Sequence, residues 1–135
     1  MKSKKSTTII LLLVFFAGLS LLLYPTVSDW WNSFHQSRAI AGYAEAVAEL
    51  DDERYAELWD AAVAYNTALP GREHRFSPDE AEHELYESLL NANGSGIMGY
   101  IEIPAIGVSL PIYHGVEDTV LQIAIGHIEG TSLPV

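Results

Sequence analysis

Hydrophobic and polar residues follow three different patterns along this chain. An uninterrupted apolar run covers Thr7 to Tyr24, and apolar residues at helical spacing begin at Arg38. From Gly99 to Pro134 apolar residues instead alternate with polar ones, between single glycines and prolines. Side chains return to one face about every 3.6 residues in a helix and every second residue in a strand. The pattern therefore predicts an α+β chain with its helices first and its strands last.

The first apolar run has the length of a transmembrane helix. Its 18 residues carry no charge, and as a helix they would extend about 27 Å, close to the roughly 30 Å of a bilayer core. The lysines all precede it, at positions 2, 4 and 5. This predicts a cytoplasmic tail over residues 1–6, a signal anchor over 7–24 and an extracytoplasmic body. The alternative is a cleaved signal peptide, but no A-x-A-like site follows the run.

Residues 25–98 are predicted to form a helical region. After a short exit segment over 25–37, one helix is expected from Arg38 to about Leu69, where Pro70 ends it. A second helix is expected to begin with Ser77 as its cap and Glu80 completing a capping box. The predicted buried positions are Ile40, Tyr43, Val47, Leu50, Leu58, Ala62 and Tyr65 on the first helix, and Ala81, Leu85 and Leu89 on the second.

The remaining residues, 99–135, are predicted to form short strands. Two strands are expected over 100–104 and 106–113, and prolines at 104 and 111 limit where backbone ladder bonds form. A helical turn over 118–122 and a further strand around 123–128 complete this part.

Composition excludes several classes of function. The formal net charge is −11, and only four arginines accompany the eighteen carboxylates after residue 25. Nucleic-acid binding requires clustered Lys and Arg, so we expect no nucleic-acid partner. The chain has no cysteine, which excludes disulfides, thiolate metal sites and a cysteine nucleophile from these residues.

Four histidines are candidates for metal ligands or bases. His127 and Glu129 alternate on a predicted strand, and His114 would join them only from a neighbouring strand. A zinc site requires three or four ligands, and these spacings are weak. We therefore expect structural histidines and no metal, with a metal-binding ectodomain kept as a weaker alternative. His74 and His83 are expected to face solvent, and Thr131 and Ser132 are expected to be turn residues.

Four sequence blocks in the last segment resemble those of the class C sortases, the pilus-assembling transpeptidases of Gram-positive bacteria. The blocks are 98–104 (MGYIEIP), 110–115 (LPIYHG), 120–121 (VL) and 126–134 (GHIEGTSLP). The segment before them agrees more loosely, with an anchor ending LYP and a helix ending AYN. The residues of the family motif are Pro104, Pro111, His114, Gly115, Leu121, Gly126, His127, Gly130, Thr131 and Pro134.

The resemblance implies an eight-stranded β-barrel enzyme without a cofactor. In this family a cysteine attacks the Thr–Gly bond of an LPxTG-like sorting signal, and a lysine of the next pilin resolves the acyl-enzyme. A histidine transfers protons and an arginine stabilises the reacting carbonyl. None of the three matches a residue of this chain, and His127 lies in a block that is not catalytic. The implied partners are the cytoplasmic membrane and the sorting signals of pilins or surface proteins at the cell wall.

The resemblance also implies a lid between the two N-terminal helices. Class C sortases often plug the active site there with an Asp-Pro-aromatic triplet, whereas this chain has Arg72 to Asp79 without such a triplet. Phe76 is the candidate plug, although Ser77 and Pro78 are equally well explained as a helix start.

We expect the chain to be the N-terminal part of a sortase, inactive by itself. Three strands do not close a barrel and would leave backbone groups unpaired at their edges. The alternative from another class is a non-catalytic, membrane-tethered binding or scaffold remnant.

Overall fold

The computed structural model describes the backbone of residues 2–135 and the side chains of residues 5–135. The chain divides into two units, one extending to Phe34 and the other comprising His35–Val135. The α+β class predicted from the sequence is confirmed. The described residues form four α-helices, two 3₁₀ turns and a three-stranded sheet.

The first unit consists of the N-terminal part of helix α1 (Lys2–Ala48). An 18-residue window of this helix reaches a mean hydropathy of 2.4, enough in length and composition to cross a membrane, a property shared with signal sequences. The predicted exit segment at Pro25 is wrong, since α1 continues through this proline. An interior proline removes one backbone hydrogen bond and crowds the carbonyl four residues earlier, at a cost of about 3 kcal/mol, but the residues on both sides of Pro25 are helical.

The helix predicted from Arg38 to Leu69 is in fact two helices. Helix α1 ends at Ala48, and α2 (Asp52–Ala68) begins after the N-cap residue Asp51. The Asp51 side chain accepts a hydrogen bond from Arg54 N at 2.7 Å, which satisfies a backbone donor of the first turn. The apolar spacing continues across this break, which is why periodicity alone did not reveal it. A 3₁₀ turn (Leu69–Gly71) follows α2.

Helix α3 (Glu80–Ser88) begins two residues later than predicted. Its N-cap is Asp79, and Glu82 completes the capping box by accepting from Asp79 N. Of the predicted buried row, Leu89 is confirmed at 4% exposure, whereas Ala81 is exposed and Leu85 is 46% exposed; Tyr86, which was not predicted, is 1% exposed. Tyr86 and Leu89 are three residues apart and both pack in the core, so they mark the face of this segment that is buried.

The sheet has strand order β1–β2–β3. Strand β1 (Ile97–Ile103) runs antiparallel to β2 (Val108–His114) through a 3₁₀ turn (Pro104–Ile106). The short helix α4 (Asp118–Leu121), predicted as a helical turn, then leads to β3 (Ile125–His127), which pairs parallel with β2. The central strand β2 therefore places His114 beside His127.

The core of the second unit lies between the helices and the sheet. Ala62, Tyr65 and Leu69 pack with Tyr86, Leu89 and Leu90 and with two residues of the strand segment, Met98 and Leu133. The helical layer is thus joined to the start and the end of the strand region.

Candidate functional site

The most densely bonded side chain of the core is Tyr86 on α3. Its hydroxyl donates to His127 O at 2.9 Å, accepts from Gly115 N at 3.2 Å and lies 3.0 Å from His127 Nδ1. Gly115 follows β2 and His127 ends β3, so one phenol binds both strands to the helical layer. Desolvation by burial raises the pKa of Tyr86 to about 12, although the hydrogen bond from Gly115 acts in the opposite direction. The phenol is therefore neutral near neutral pH.

Both ring nitrogens of His127 have polar partners. Its Nε2 lies 3.0 Å from Ser132 O and 3.2 Å from Thr131 Oγ1. Thr131 Oγ1 in turn donates to Ile128 O at 2.7 Å, within the turn that follows β3. The imidazole thus positions this turn, and neither of its nitrogens is open to a substrate or a metal.

His114 is buried and is also bonded through both nitrogens. Its Nδ1 lies 2.9 Å from Gly96 O and its Nε2 lies 2.8 Å from Leu89 O. The ring meets Tyr86 edge-on, with the centroids 4.9 Å apart. This histidine connects the end of α3 to the start of β1. Within residues 2–135, no group of three His, Asp or Glu side chains is close enough to hold a metal ion.

Two glycines of the motif lie where the β2 and β3 segments approach each other closely. A Cβ built at Gly126 would lie 2.5 Å from Gly115 O and 3.0 Å from Leu121 Cδ2. Gly115 itself has φ 79°, and a Cβ there would meet the Glu117 carboxylate at 2.5 Å. Both positions therefore require glycine.

The residues after β3 are bonded to α2. Tyr65 OH accepts from Gly130 N at 3.3 Å, and Asn66 forms a pair of hydrogen bonds with Leu133, donating to its O at 3.0 Å and accepting from its N at 2.7 Å. The Asn66 pair was missed in the sequence analysis. No local signal reveals it, because 67 positions separate the two residues.

The predicted lid candidate Phe76 lies in the loop over residues 72–79, and its side chain is 61% exposed. A Cβ built at Gly130 would clash with Arg75 O and lie 3.0 Å from Phe76 Cδ1. The loop therefore packs against the turn after β3 at the point where that turn has no side chain. The guanidinium of Arg75 lies over the Phe76 ring, 4.7 Å from its centroid.

The other two candidate histidines, His74 and His83, have different surroundings. His74 is exposed on the loop, as expected, whereas the exposed ring of His83 also forms an ion pair across the fold. Its Nδ1 lies 2.8 Å from Glu129 Oε2. The hydrogen bond to Glu129 and the charge of that carboxylate raise the pKa of His83 above its usual value.

The other motif residues have mainly packing positions. Pro111 is fully buried in β2, Pro104 opens the 3₁₀ turn after β1, and Leu121 ends α4 with 55% of its surface exposed. Pro134 is exposed beside the buried Leu133. The site as a whole is a bonded junction between helices and strands. Thr131 Oγ1 lies 3.2 Å from His127 Nε2, but this hydroxyl donates to Ile128 O and the same nitrogen lies 3.0 Å from Ser132 O, so the arrangement supports positioning of the turn.

Solved structures similar to this chain include sortases C from several bacteria. The chain is 39% identical to sortase C1 of Streptococcus agalactiae with a TM-score of 0.67, over 72% of this chain and 50% of that one. A sortase C-1 of Streptococcus pneumoniae is 35% identical (TM-score 0.53, 73% and 51% covered). A Clostridium perfringens sortase C, solved with the C-terminal cell wall sorting motif, is 34% identical (TM-score 0.56, 73% and 49% covered).

No protein-family model matches the chain, and no curated protein matches it either. The chain spans about half the length of the sortase structures that it matches. The resemblance predicted from the four sequence blocks is nevertheless confirmed at the level of structure: this chain is a relative of the class C sortases.

Proposed function

We propose that this chain is the N-terminal portion of a membrane-anchored class C sortase, which cleaves LPxTG-like sorting signals and joins pilin subunits by transpeptidation. The observation that carries the proposal is the 39% identity to sortase C1 over 72% of this chain but only half of that enzyme. The Clostridium structure with a sorting motif supports the same substrate class. In this proposal the cysteine, histidine and arginine of the reaction lie outside the present residues, and the chain alone is inactive.

The sheet supports the proposal that residues 99–135 begin a barrel. Strands β1 and β3 form the two edges of the described sheet. On β1, Tyr100, Ile101 and Ile103 remain between 39% and 41% exposed. Apolar side chains on an edge strand favour further strand pairing, which in this fold would come from the rest of the barrel.

The proposal also assigns the segments of the chain before residue 99 relative to the membrane. Residues 1–6 form a cytoplasmic tail, 7–24 a signal anchor and 25–98 the helical lid region, and the body lies outside the cell membrane. The long apolar helix supports the anchor, and the lysines before it support the orientation. If this segment is instead a cleaved signal peptide, mass spectrometry of the exported protein will show that the apolar run is missing.

A chimera tests the proposed function directly. This chain is joined to the half of S. agalactiae sortase C1 that it does not match, and cleavage of a fluorogenic LPxTG peptide is measured. We expect cleavage by the chimera and none by this chain alone. The same chimera with its active-site cysteine replaced by alanine is the matched control. A chimera that unfolds cooperatively yet leaves the peptide intact would contradict the proposal and favour a scaffold remnant.

A further inference from the structure

The polar contacts of the loop over residues 72–79 are made within the loop and with the neighbouring helices. Ser77 N donates to His74 O at 2.8 Å within the loop. At its start, Arg72 lies 3.7 Å from Glu82 and over the Tyr65 ring. Within the described part of the chain, no hydrogen bond joins residues 73–78 to the strands or to the turn after β3. The close contact between the loop and the turn after β3 is the packing of Arg75 and Phe76 against Gly130. The loop therefore depends on the elements that flank it.

Helix α3, which follows the loop, is bonded to the strand region at two positions. Tyr86, in the middle of the helix, is buried and bonded to His127 and Gly115. His83, one turn nearer the loop, reaches Glu129 at 2.8 Å. Glu129 directly precedes Gly130, on which the loop packs. The ion pair therefore joins the start of α3 to the same turn that receives the loop.

We propose that His83 and Glu129 form a pH-sensitive latch that holds the 72–79 loop against the turn after β3. Below the titration range of His83 the ring is cationic and the pair is charge-assisted. Above that range the ring is neutral, the attraction is lost, and the loop opens more often. Tyr86 keeps the rest of α3 in place in both states.

The charges around His83 all favour its protonated form. Glu129 contributes from the turn after β3, Glu87 from α3 itself and Glu117 from the segment between β2 and α4. Glu129 is partly shielded, with 20% of its side chain exposed, whereas 55% of the His83 side chain is exposed. The folded state holds the His83 proton more tightly than the unfolded chain does. The latch therefore stabilises the folded state at pH values below about 6.5, and this stabilisation is lost as the pH rises through the elevated pKa of His83.

Hydrogen–deuterium exchange of the whole chain in lipid nanodiscs tests the latch. After correction for intrinsic rates, we expect protection of the amides of residues 73–77 to fall about two- to fivefold between about pH 5.5 and pH 8, the size expected of an exposed ion pair. Glu129→Gln and His83→Gln should remove this pH dependence. His74→Gln, which changes an exposed histidine on the loop itself, should retain it. The amides of β2 report whether each variant remains folded.

Two results would overturn the latch: the same pH dependence in Glu129→Gln as in the unmodified chain, or no dependence in the unmodified chain. Either outcome is independent of peptide cleavage. The latch itself depends only on residues of this chain. Its use in controlling access to a sortase active site rests on the proposed function. A chimera that cleaves peptide but lacks the exchange effect would reject the latch alone.

Discussion

The Tyr86 phenol and the His127 imidazole lie face to face, with ring centroids 5.7 Å apart and the tyrosine hydroxyl 3.0 Å from Nδ1. The same hydroxyl donates to the His127 carbonyl. A single side chain of α3 thus contacts both the ring and the backbone at the end of β3. This relationship makes Tyr86 the most informative position to change.

We expect Tyr86→Phe to lower the free energy of unfolding by about 1–3 kcal/mol. The ring still fills its place, but Gly115 N and His127 O lose their partner in a buried setting. Urea denaturation followed by tryptophan fluorescence measures the change. Tyr100→Phe is the matched control, because Tyr100 is 41% exposed, and a loss of equal size in both variants would contradict the role of the buried hydroxyl.

The stability of the chain should also decline in alkaline solution because of Tyr86. In the unfolded chain its phenol ionises near pH 10, whereas in the folded state its pKa is raised to about 12. The unfolded state therefore releases its proton first, and stability falls as the pH rises from about 10 toward 12. Absorbance at the phenolate band should show a late component that Tyr86→Phe removes. A difference confined to pH values below 10 would contradict the assignment.

The Asn66–Leu133 pair predicts a graded response to substitution. Asn66→Asp keeps the acceptor for Leu133 N but loses the donor to Leu133 O, whereas Asn66→Leu loses both. Exchange of the Leu133 amide should therefore accelerate strongly in Asn66→Leu and little in Asn66→Asp. Thr67→Val is the neighbouring control, because Thr67 bonds only within its own helix. Equal acceleration in the Asp and Leu variants would argue against the pair.

Gly130→Ala should destabilise the chain by about 1–2 kcal/mol from its backbone conformation alone, since Gly130 has φ 84°. The added Cβ would also displace Arg75 and the loop that packs there. Chemical denaturation gives the energy, and exchange of the loop amides gives the displacement. Gly71→Ala is the control, because a Cβ at that position meets no atom within 4 Å. An unchanged loop in Gly130→Ala would contradict the close packing.

The sequence predicted element types better than element ends. The strands follow from apolar residues at a spacing of two and from the prolines near them, whereas Asp51 and Asp79 cap helices at positions that periodicity does not mark. The junction at Tyr86 was not predicted, since its partners lie 29 and 41 residues away. Such pairs depend on how α3 packs against the sheet. The resemblance named the motif residues, but gave no reason for their contacts.

The proposed plug at Phe76 gives the last prediction. Its side chain is 61% exposed and lies beside Gly130. In the sortase chimera, Phe76→Ala should raise the rate of LPxTG peptide cleavage, because a large apolar side chain would no longer occlude the site. Ile106→Ala is the control, since Ile106 is 69% exposed on the turn after β1. An unchanged rate in Phe76→Ala, with the chimera otherwise active, would reject the plug.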